Sequence, residues 1–345
     1  MRFEEPTANR IQFVYASHMT APLSFGLSLP NRAVLFGTPV EDLLRAAEVA
    51  DASGRFGSVW VGDNFLSKPR VEALVMLSAL AARTRTISLG TVCLATFTMR
   101  NPIELALQWG SLDVVSGGRT ILAVCNGTPG SRGPKYADEL KVFGVRSQER
   151  VGRLEEGVEI LRGLWSGGPY SHSGEFWNFE NVELQLQPVQ ERVPIVIAVN
   201  PGQARDEQLR ERLERRVARL ADGWQTDSIA PAVLRDSWLR MQEYASEEGR
   251  TLDTASLHLM VNLDATVEGG RRKALAFLER YYGVGGVSEE KAANWIASGP
   301  PDAVAEQISR FIEAGCNLPI LRFADEDQVG QLEHCIADVL PQLLP

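Results

Sequence analysis

The sequence predicts an α/β fold, a single (β/α)8 TIM barrel with insertions after strands four and seven. Short β-branched apolar runs alternate with longer segments of helical periodicity from residue 24 to the C-terminus, and eight such units can be counted. A length of 345 residues suits such a barrel. No internal repeat and no low-complexity linker divides the chain, so one barrel domain over residues 24–345 explains the length better than two domains.

Residues 1–23 precede the barrel and are interpreted as an N-terminal extension. They lack the positive start and the continuous apolar stretch of a signal peptide. The tract Ala16-Ser17-His18-Met19 resembles a cloning junction, which would make part of the extension a cloning remnant. A native extension is the alternative.

Local signals place the individual elements. Residues 38–41 (TPVE) combine a capping residue, a proline and an acid, and predict a helix that begins at Pro39. The Gly-rich and aromatic stretch 167–183 predicts a hairpin as the first insertion, and residues 266–298 form the second. The eight predicted strands span residues 24–29, 58–62, 86–94, 119–125, 194–199, 223–226, 256–261 and 319–323.

Charge and cysteine usage narrow the class of partner. The chain carries 35 basic and 44 acidic residues, a formal net charge of −9, which argues against a nucleic-acid surface and favours a small partner. The longest apolar run, near residues 73–82, is too short to span a bilayer. The four cysteines (Cys93, Cys125, Cys316 and Cys335) form no CxxC pair, and we expect no disulfide and a reduced, cytoplasmic protein.

In a barrel of this kind chemistry takes place at the carboxyl ends of the strands. No lysine lies on a predicted strand or strand end, which argues against a Schiff-base aldolase. The four histidines (His18, His172, His258 and His334) fall in unrelated segments, so no metal site is predicted. Neither a pair of carboxylates suited to a glycosidase nor a P-loop, GxSxG or GxGxxG motif stands at a strand end.

The residues that do follow the strands are small, polar and largely uncharged. Strand two ends in Asp63-Asn64-Phe65, and the later strand ends carry residues of the same kind. A mouth of this composition suits a planar heterocycle held by backbone amides. The other strand ends read Cys93-Leu94-Ala95-Thr96, Asn126-Gly127-Thr128 and Asn200-Pro201-Gly202.

Several segments together resemble the bacterial luciferase-like superfamily. The resemblance covers roughly residues 24–343, with the motifs in the expected order and spacing. Asp113 and Asp222, which lie within these motifs, are interpreted as residues that hold the barrel frame. The motifs are GTVCL at 90–94, RNP at 100–102, LDVVSGGR at 112–119, LAVCNG at 122–127, RVGRLEEGVEILRGLW at 150–165, VARLADGW at 217–224 and PPDAVAEQISRFIEAG at 300–315.

The resemblance implies a barrel that binds FMN or the deazaflavin coenzyme F420 at its mouth. Asp63 and Asn64 stand where deazaflavin-dependent members often carry Asp-His, and they are the predicted catalytic residues. The predicted cofactor-binding residues are Asp63, Cys93, Leu94, Ala95, Thr96, Asn126, Gly127, Asn200, Pro201, Gly202, Gly285 and Gly286.

Two positions depart from the family pattern. Asn64 cannot act as a general acid or base at neutral pH, so the role of that histidine must be lost, relocated or reduced to hydrogen bonding. The acid that follows strand four in sugar-phosphate dehydrogenase members is replaced by Asn126-Gly127-Thr128, which argues against a sugar-phosphate dehydrogenase.

Each predicted site residue also has a structural interpretation. Asp63 would equally cap the next loop. Cys93 and Cys125 are interpreted as buried packing residues, since neither has a local basic partner. Gly285 and Gly286, in the cluster 283–286, would bind phosphate through backbone amides or simply end a helix.

The substrate-binding candidates are Ser28, Trp177 and Arg322. Arg322 ends strand eight, where it would meet an anionic group. Trp177 lies in the hairpin insertion and would form an aromatic lid, with packing of the insertion against the barrel as the alternative.

The function that these residues favour is F420-dependent hydride transfer to or from a small organic substrate. An FMN-dependent monooxygenase that uses O2 is the first alternative, and a noncatalytic flavin-binding barrel is the second. The resemblance also implies a homodimer and, as a further partner, a flavin or F420 reductase that supplies reduced cofactor; an FMN enzyme would need one.

Overall fold

The computed structural model describes residues 21–283 and 287–344, and its central feature is a closed sheet of eight parallel strands. The strands in chain order are β1 (Gly26–Leu29), β2 (Ser58–Val61), β3 (Ser88–Thr91), β4 (Thr120–Val124), β5 (Tyr170–Ser173), β6 (Asn178–Val182), β7 (Ile195–Ala198), β8 (Gly223–Asp227), β9 (Thr254–Leu263), β10 (Ile296–Gly299) and β11 (Leu318–Phe323). The barrel order is β1-β2-β3-β4-β7-β8-β9-β11, and β11 pairs back with β1. The predicted (β/α)8 barrel is therefore confirmed.

Helices connect the strands around the outside of the barrel. They are α1 (Val40–Ser53), α2 (Ala73–Arg83), α3 (Pro102–Ser116), α4 (Pro134–Val142), α5 (Arg150–Leu164), α6 (Glu207–Leu220), α7 (Pro231–Glu247), α8 (Val267–Tyr282), α9 (Glu289–Ala293), α10 (Pro301–Glu313), α11 (Gln328–His334) and α12 (Leu340–Leu343). Helix α3 begins where the Asn101 carboxamide accepts hydrogen bonds from Ile103 and Glu104 N–H groups. Within the described ranges no helix is long and apolar enough to cross a bilayer.

Both predicted insertions are present, and they contain two helices, α4 and α9, and one strand, β10, that the sequence patterns did not predict. The hairpin is the antiparallel pair β5–β6, so the fifth predicted strand is β7. Helix α4 also lies in the first insertion. In the second insertion, β10 pairs in parallel with β9 outside the barrel. Strand β9 has ten residues and extends beyond the end of β8, because the last residue of β9 that pairs with β8 is His258. On that edge of β9, Met260–Leu263 pairs with β10 instead.

The two aspartates predicted to hold the frame do so. Asp113 on α3 accepts hydrogen bonds from the Val189 and Gln190 N–H groups at 2.8 and 3.0 Å and from the Thr120 hydroxyl at 2.6 Å. Asp222, just before β8, accepts from Ile195 N–H at 2.9 Å and forms ion pairs with arginines. Each carboxylate therefore fixes the start of a strand to a neighbouring segment.

Trp60 fills the interior of the barrel. Its indole is fully buried and donates a hydrogen bond to the Ser58 hydroxyl at 2.8 Å. The ring occupies the space that side chains on the flanking strands would need: a Cβ at Gly26 or Gly90 would lie 2.5 or 2.4 Å from an indole atom. Glycine is therefore required on both strands beside Trp60.

We expect Gly90→Ala to destabilise the protein, because the added methyl group would overlap a buried ring that has no room to move. The free energy of unfolding should fall by about 2–3 kcal/mol in urea denaturation. The matched control is Gly110→Ala on α3, where the new Cβ would lie 3.7 Å from its nearest neighbour, Pro188. That control should be neutral or stabilising by up to about 1 kcal/mol. Equal stability of the two variants would contradict the packing described for Trp60.

Candidate functional site

A cavity of about 380 Å³ opens at the carboxyl ends of the strands. It lies where barrels of this kind bind their ligands. Among the described residues, no group of three or more His, Cys, Asp or Glu side chains is placed to hold a metal ion. The cavity is lined by Lys68, Val92, Cys93, Cys125, Ala198, Val199, Asn200, Gln225, Thr226, Asp227, His258, Leu278, Tyr282, Val287, Lys291 and Trp295.

Five polar side chains of this cavity have a buried atom without a hydrogen-bond partner in the structure. They are Asn200 Oδ1, Gln225 Nε2, Thr226 Oγ1, His258 Nε2 and Trp295 Nε1. A buried polar atom left unpaired costs about 1–3 kcal/mol, so folded proteins rarely accumulate them in one place. Their concentration in one cavity indicates a site shaped for a polar ligand.

His258 is the only histidine of the described chain that lines this cavity. It lies on β9 and is 5% exposed. Burial, and secondarily the charge of Arg322, holds the pKa of the imidazole well below its usual range. The ring is therefore neutral at pH 7 and can donate or accept one hydrogen bond at the free Nε2. The sequence pattern gave no signal for this role, because His258 lies within a strand and has no motif around it.

Two lysines reach the cavity from outside the strands, although no strand carries one. Lys68, in the loop after β2, places its ammonium group 5.7 and 5.2 Å from the ring centres of Tyr136 and Tyr282. Burial, and secondarily the charges of neighbouring arginines and Lys135, lowers the pKa of Lys68 to about 8. Lys291 lies on α9, within the second insertion. The absence of lysine from the strands and strand ends therefore does not leave the mouth without an amine, because a loop and a helix supply two.

Asp227, at the end of β8, is the carboxylate of this cavity. Its backbone and side-chain oxygens accept hydrogen bonds from the Asn200 carboxamide at 2.5 and 3.2 Å. Burial raises the pKa of Asp227, and the charges of Lys291 and Lys68 partly oppose that rise. Asn200 thus lies at the cavity as predicted, whereas Pro201 and Gly202 form a short helical turn behind it.

Ser28 and Arg322, both predicted to bind substrate, contact each other but do not line the cavity. Arg322 is 1% exposed and donates to the Ser28 hydroxyl at 2.8 Å and to the Tyr282 hydroxyl at 2.7 Å. Its guanidinium also lies 5.2 Å from the ring centre of Tyr281. Arg322 therefore positions Tyr282, which does line the cavity.

The Asp63 carboxylate is turned into the protein. One oxygen accepts hydrogen bonds from the Thr96 N–H and hydroxyl at 2.8 and 2.7 Å, and the other lies 3.4 Å from the Arg100 guanidinium. Burial raises the pKa of Asp63, while Arg100 and Thr96 oppose the rise. This geometry gives Asp63 and Thr96 a positioning role. Asn64 likewise bonds to Ser67 and Arg70 and does not line the cavity.

The loop that carries Lys68 is held by two residues that no sequence motif indicates, Asn31 and Glu139. Asn31 donates to the Gly62 and Val71 carbonyls, both at 2.9 Å, and so ties the two ends of the loop together. Glu139 on α4 is buried, and one of its oxygens accepts hydrogen bonds from three successive N–H groups of the loop. Those donors are Phe65, Leu66 and Ser67, at 3.1, 2.7 and 3.1 Å.

The ends of β3 and β4 are joined by a disulfide between Cys93 and Cys125. Both residues are half-buried and line the cavity. The predictions that the chain has no disulfide and that these cysteines are buried packing residues were therefore wrong. Sequence spacing did not reveal the pair because adjacent parallel strands bring together residues that are 32 positions apart.

Other residues of these two strand ends form the wall behind the disulfide. Gly127 adopts φ +67°, and a Cβ there would lie 2.5 Å from the Ala95 carbonyl oxygen. Arg150 donates to the Asn126 and Gly127 carbonyls at 2.9 and 2.8 Å. Glycine at this position thus serves the contact between the two loops. Leu94 is fully buried beneath them.

The remaining predicted site residues are Trp177, which lies away from the cavity, and the glycine pair of the second insertion, which lies outside the described residues. Trp177 packs on α5, with the Arg153 guanidinium 4.7 Å from its ring centre, and does not line the cavity. Its N–H donates to the Glu156 carboxylate at 2.8 Å, so the hairpin packs against the barrel. Gly285 and Gly286 lie outside the described residues.

We expect Lys68 to titrate near pH 8 in the free protein, because burial and neighbouring cations disfavour its charged form. The sequence has five lysines, so ¹³C NMR of ε-labelled lysine can resolve each one. One signal should shift with a midpoint near 8, disappear in Lys68→Met and move lower in Asp227→Asn, which removes a stabilising negative charge. Lys141→Met is the control. Five midpoints near the ordinary value would refute the burial of Lys68.

Comparisons with known proteins agree with this architecture. The F420-dependent glucose-6-phosphate dehydrogenase of Amycolatopsis mediterranei (strain U-32) is 26% identical over 341 residues, covering 88% of this chain and 93% of the relative. Monooxygenase RslO1 from Streptomyces bottropensis superposes with a TM-score of 0.77 at 22% identity, covering 93% of this chain and 100% of that one. An F420-dependent secondary alcohol dehydrogenase in complex with an F420-acetone adduct gives 0.77 at 19% identity, with coverage of 94% and 100%.

These two structures share the fold of this chain. The family described as luciferase-like monooxygenase matches residues 23–318, which is most of the sequence and includes every strand of the barrel except β11, of which only Leu318 is matched. The resemblance inferred from the motifs is thereby confirmed. The protein belongs to the luciferase-like monooxygenase family.

Proposed function

We propose that the protein is an oxidoreductase that binds coenzyme F420 in the mouth cavity and transfers a hydride to or from a small organic substrate. The observation that carries the proposal is the set of five unpartnered polar atoms in that cavity. Family membership and the F420-dependent relative support the choice of cofactor. We do not include sugar phosphates among the proposed substrates, because Asn126-Gly127-Thr128 replaces the acid that follows strand four in sugar-phosphate dehydrogenases.

The residues present fit a deazaflavin ring. The heteroatom edge of such a ring needs both donors and acceptors, which Gln225 Nε2, His258 Nε2 and Asn200 Oδ1 offer. Tyr282 and Trp295 supply apolar faces beside them, at a ring-centre separation of 6.1 Å. When bound, the deazaflavin would supply two-electron hydride chemistry.

We assign to Lys68 the role of general acid, the group that donates a proton to the substrate. Its pKa of about 8 makes it a stronger acid than an ordinary lysine while leaving it largely protonated at pH 7. Asp227 and Lys291 lie in the same cavity and set the charge around it. Lys68, in the same loop, thus takes the role of general acid that Asn64 cannot fill. Neutral His258 contributes a hydrogen bond instead of a charge.

The FMN-dependent monooxygenase remains the second candidate, because FMN presents a closely similar ring edge to the same polar atoms. The printed description of the matching family, luciferase-like monooxygenase, supports this alternative. This alternative would require O2 and a separate reductase. The noncatalytic barrel would need no acid in the cavity, and Lys68 weighs against it.

We retain a cytoplasmic location as a proposal, to be tested by cell fractionation.

Thr226→Val tests the proposal without disturbing the fold. The substitution keeps the shape of a side chain whose hydroxyl has no partner in the protein, so stability should be unchanged or higher. Affinity for F420, measured by anaerobic fluorescence titration, should fall about fivefold to tenfold, the worth of one hydrogen bond.

Thr91→Val is the matched control for that experiment. Its hydroxyl donates to the Ala123 carbonyl at 2.7 Å, so the variant should lose about 1 kcal/mol of stability and keep its affinity. Tighter binding of FMN than of F420 by the unmodified protein would favour the monooxygenase instead. Failure to bind either cofactor would overturn the proposal.

We also propose that the protein is a homodimer assembled through α2 and α3. A groove of about 810 Å³ lies between these helices, on the outside of the barrel. Val75, Leu107 and Val115 in its lining are 63, 45 and 65% exposed. A twofold axis would bring this apolar surface against its own copy, and homodimer interfaces are more apolar than ordinary surface.

Val115→Glu should convert the dimer to a monomer, because it would bury an unpaired charge at the centre of that interface. Sedimentation velocity over a range of concentrations measures the change. The control is Leu239→Glu, since Leu239 on α7 is also 45% exposed but lies away from the groove. A dimer that survives Val115→Glu unchanged would place the interface elsewhere.

A further inference from the structure

The four cysteines of the chain fall into two chemically different pairs. Cys316 and Cys335 are free, fully buried and distant from the mouth, and burial raises the pKa of both thiols, that of Cys316 to about 12. Cys93 and Cys125 are bonded to each other, partly exposed and part of the cavity wall. Only the second pair is open to reagents that enter the cavity.

The backbone around this pair is held by contacts that do not involve sulfur. The N–H of Leu94 donates to the Ala123 carbonyl at 2.7 Å, and the Thr91 hydroxyl reaches the same carbonyl. Gly127 packs on the Ala95 carbonyl one step further along. The Cα atoms of the two cysteines, 6.0 Å apart, are therefore kept close together whether or not the bond is present. Both redox states are compatible with the fold.

We propose that Cys93 and Cys125 form a redox-active dithiol–disulfide centre in the wall of the mouth cavity, with low-molecular-weight thiols as its exchange partners. A thiolate of the small molecule attacks one cysteine sulfur, forms a mixed disulfide and releases the other cysteine as thiolate. A second small thiolate attacks the mixed disulfide and releases the remaining cysteine. Two small thiols are thereby oxidised to their disulfide, and the protein gains two electrons and two protons.

The position of the centre in the cavity wall indicates a function for it. In a reducing cytoplasm, which is the location that we propose, a disulfide is usually transient and either catalytic or redox-sensing. Because both cysteines line the ligand cavity, a ligand seated there would cover them. The coupling of thiol exchange to cofactor binding rests on the proposed function, whereas the redox centre itself does not.

The experiment begins with cofactor-free protein in its native state. It is equilibrated with glutathione at a series of reduced-to-oxidised ratios, quenched with acid, alkylated in denaturant and mapped by mass spectrometry. We expect Cys93 and Cys125 to pass together from bonded to alkylated with a reversible midpoint, while circular dichroism shows a folded protein throughout. Cys316 and Cys335 serve as internal controls and should be alkylated at every ratio.

Two results would overturn the redox centre. One is four free thiols at every ratio, which would mean that the bond does not form. The other is a bond that resists reduction until the protein unfolds, which would make it a structural crosslink. The variant Cys93→Ser should in addition accumulate a glutathione adduct at Cys125, and the titration of the unmodified protein decides the matter if this variant does not fold.

A second arm adds oxidised F420 at about ten times its dissociation constant. Occupied cavities should exchange about tenfold more slowly, because only the free fraction of the protein reacts. Binding without protection would overturn the placement of the pair beneath the ligand. Absence of binding in both redox states would instead count against the proposed function and leave the first arm's result intact.

Discussion

Closure of the parallel barrel is the constraint on which the site depends. The hydrogen bonds between β11 and β1 complete a ring in which every strand points the same way. Loops that are far apart in the sequence therefore converge at one mouth, including those that carry Lys68, Asp227 and the Cys93–Cys125 pair. Trp60 fills the interior below them, so the mouth cavity has a solid floor and does not continue as a pore.

Charge is distributed unevenly over this frame. The chain as a whole carries a net charge of −9, yet its mouth brings two lysines together with a single described carboxylate, Asp227. Burial disfavours the charged form of each group, so it lowers the pKa of Lys68 and raises the pKa of Asp227. Such a pair is typical of a site that moves protons, and the overall composition gave no sign of it.

The fold and the family were predictable from the sequence, because strand and helix periodicities are local and the family motifs are contiguous. The site was predictable only in part. Asn200 and Cys93 were found at strand ends, but Lys68 and Lys291 lie in loops whose course depends on tertiary contacts. Cys93 and Cys125 pair across two strands, a relation that no spacing rule within one segment reports. Asp63 follows its strand as predicted, yet its carboxylate is turned toward Thr96.

Glu139 links two parts of the chain that would otherwise vary independently. Its carboxylate lies in the insertion after β4, but the three N–H groups that it accepts from belong to the loop after β2. Replacing this insertion with that of a related barrel would therefore also remove the hydrogen bonds that hold the loop after β2, unless an acid is kept at the position of Glu139. Chimeric enzymes built on this scaffold should transplant the two segments as one module, and natural diversification of the mouth is subject to the same coupling.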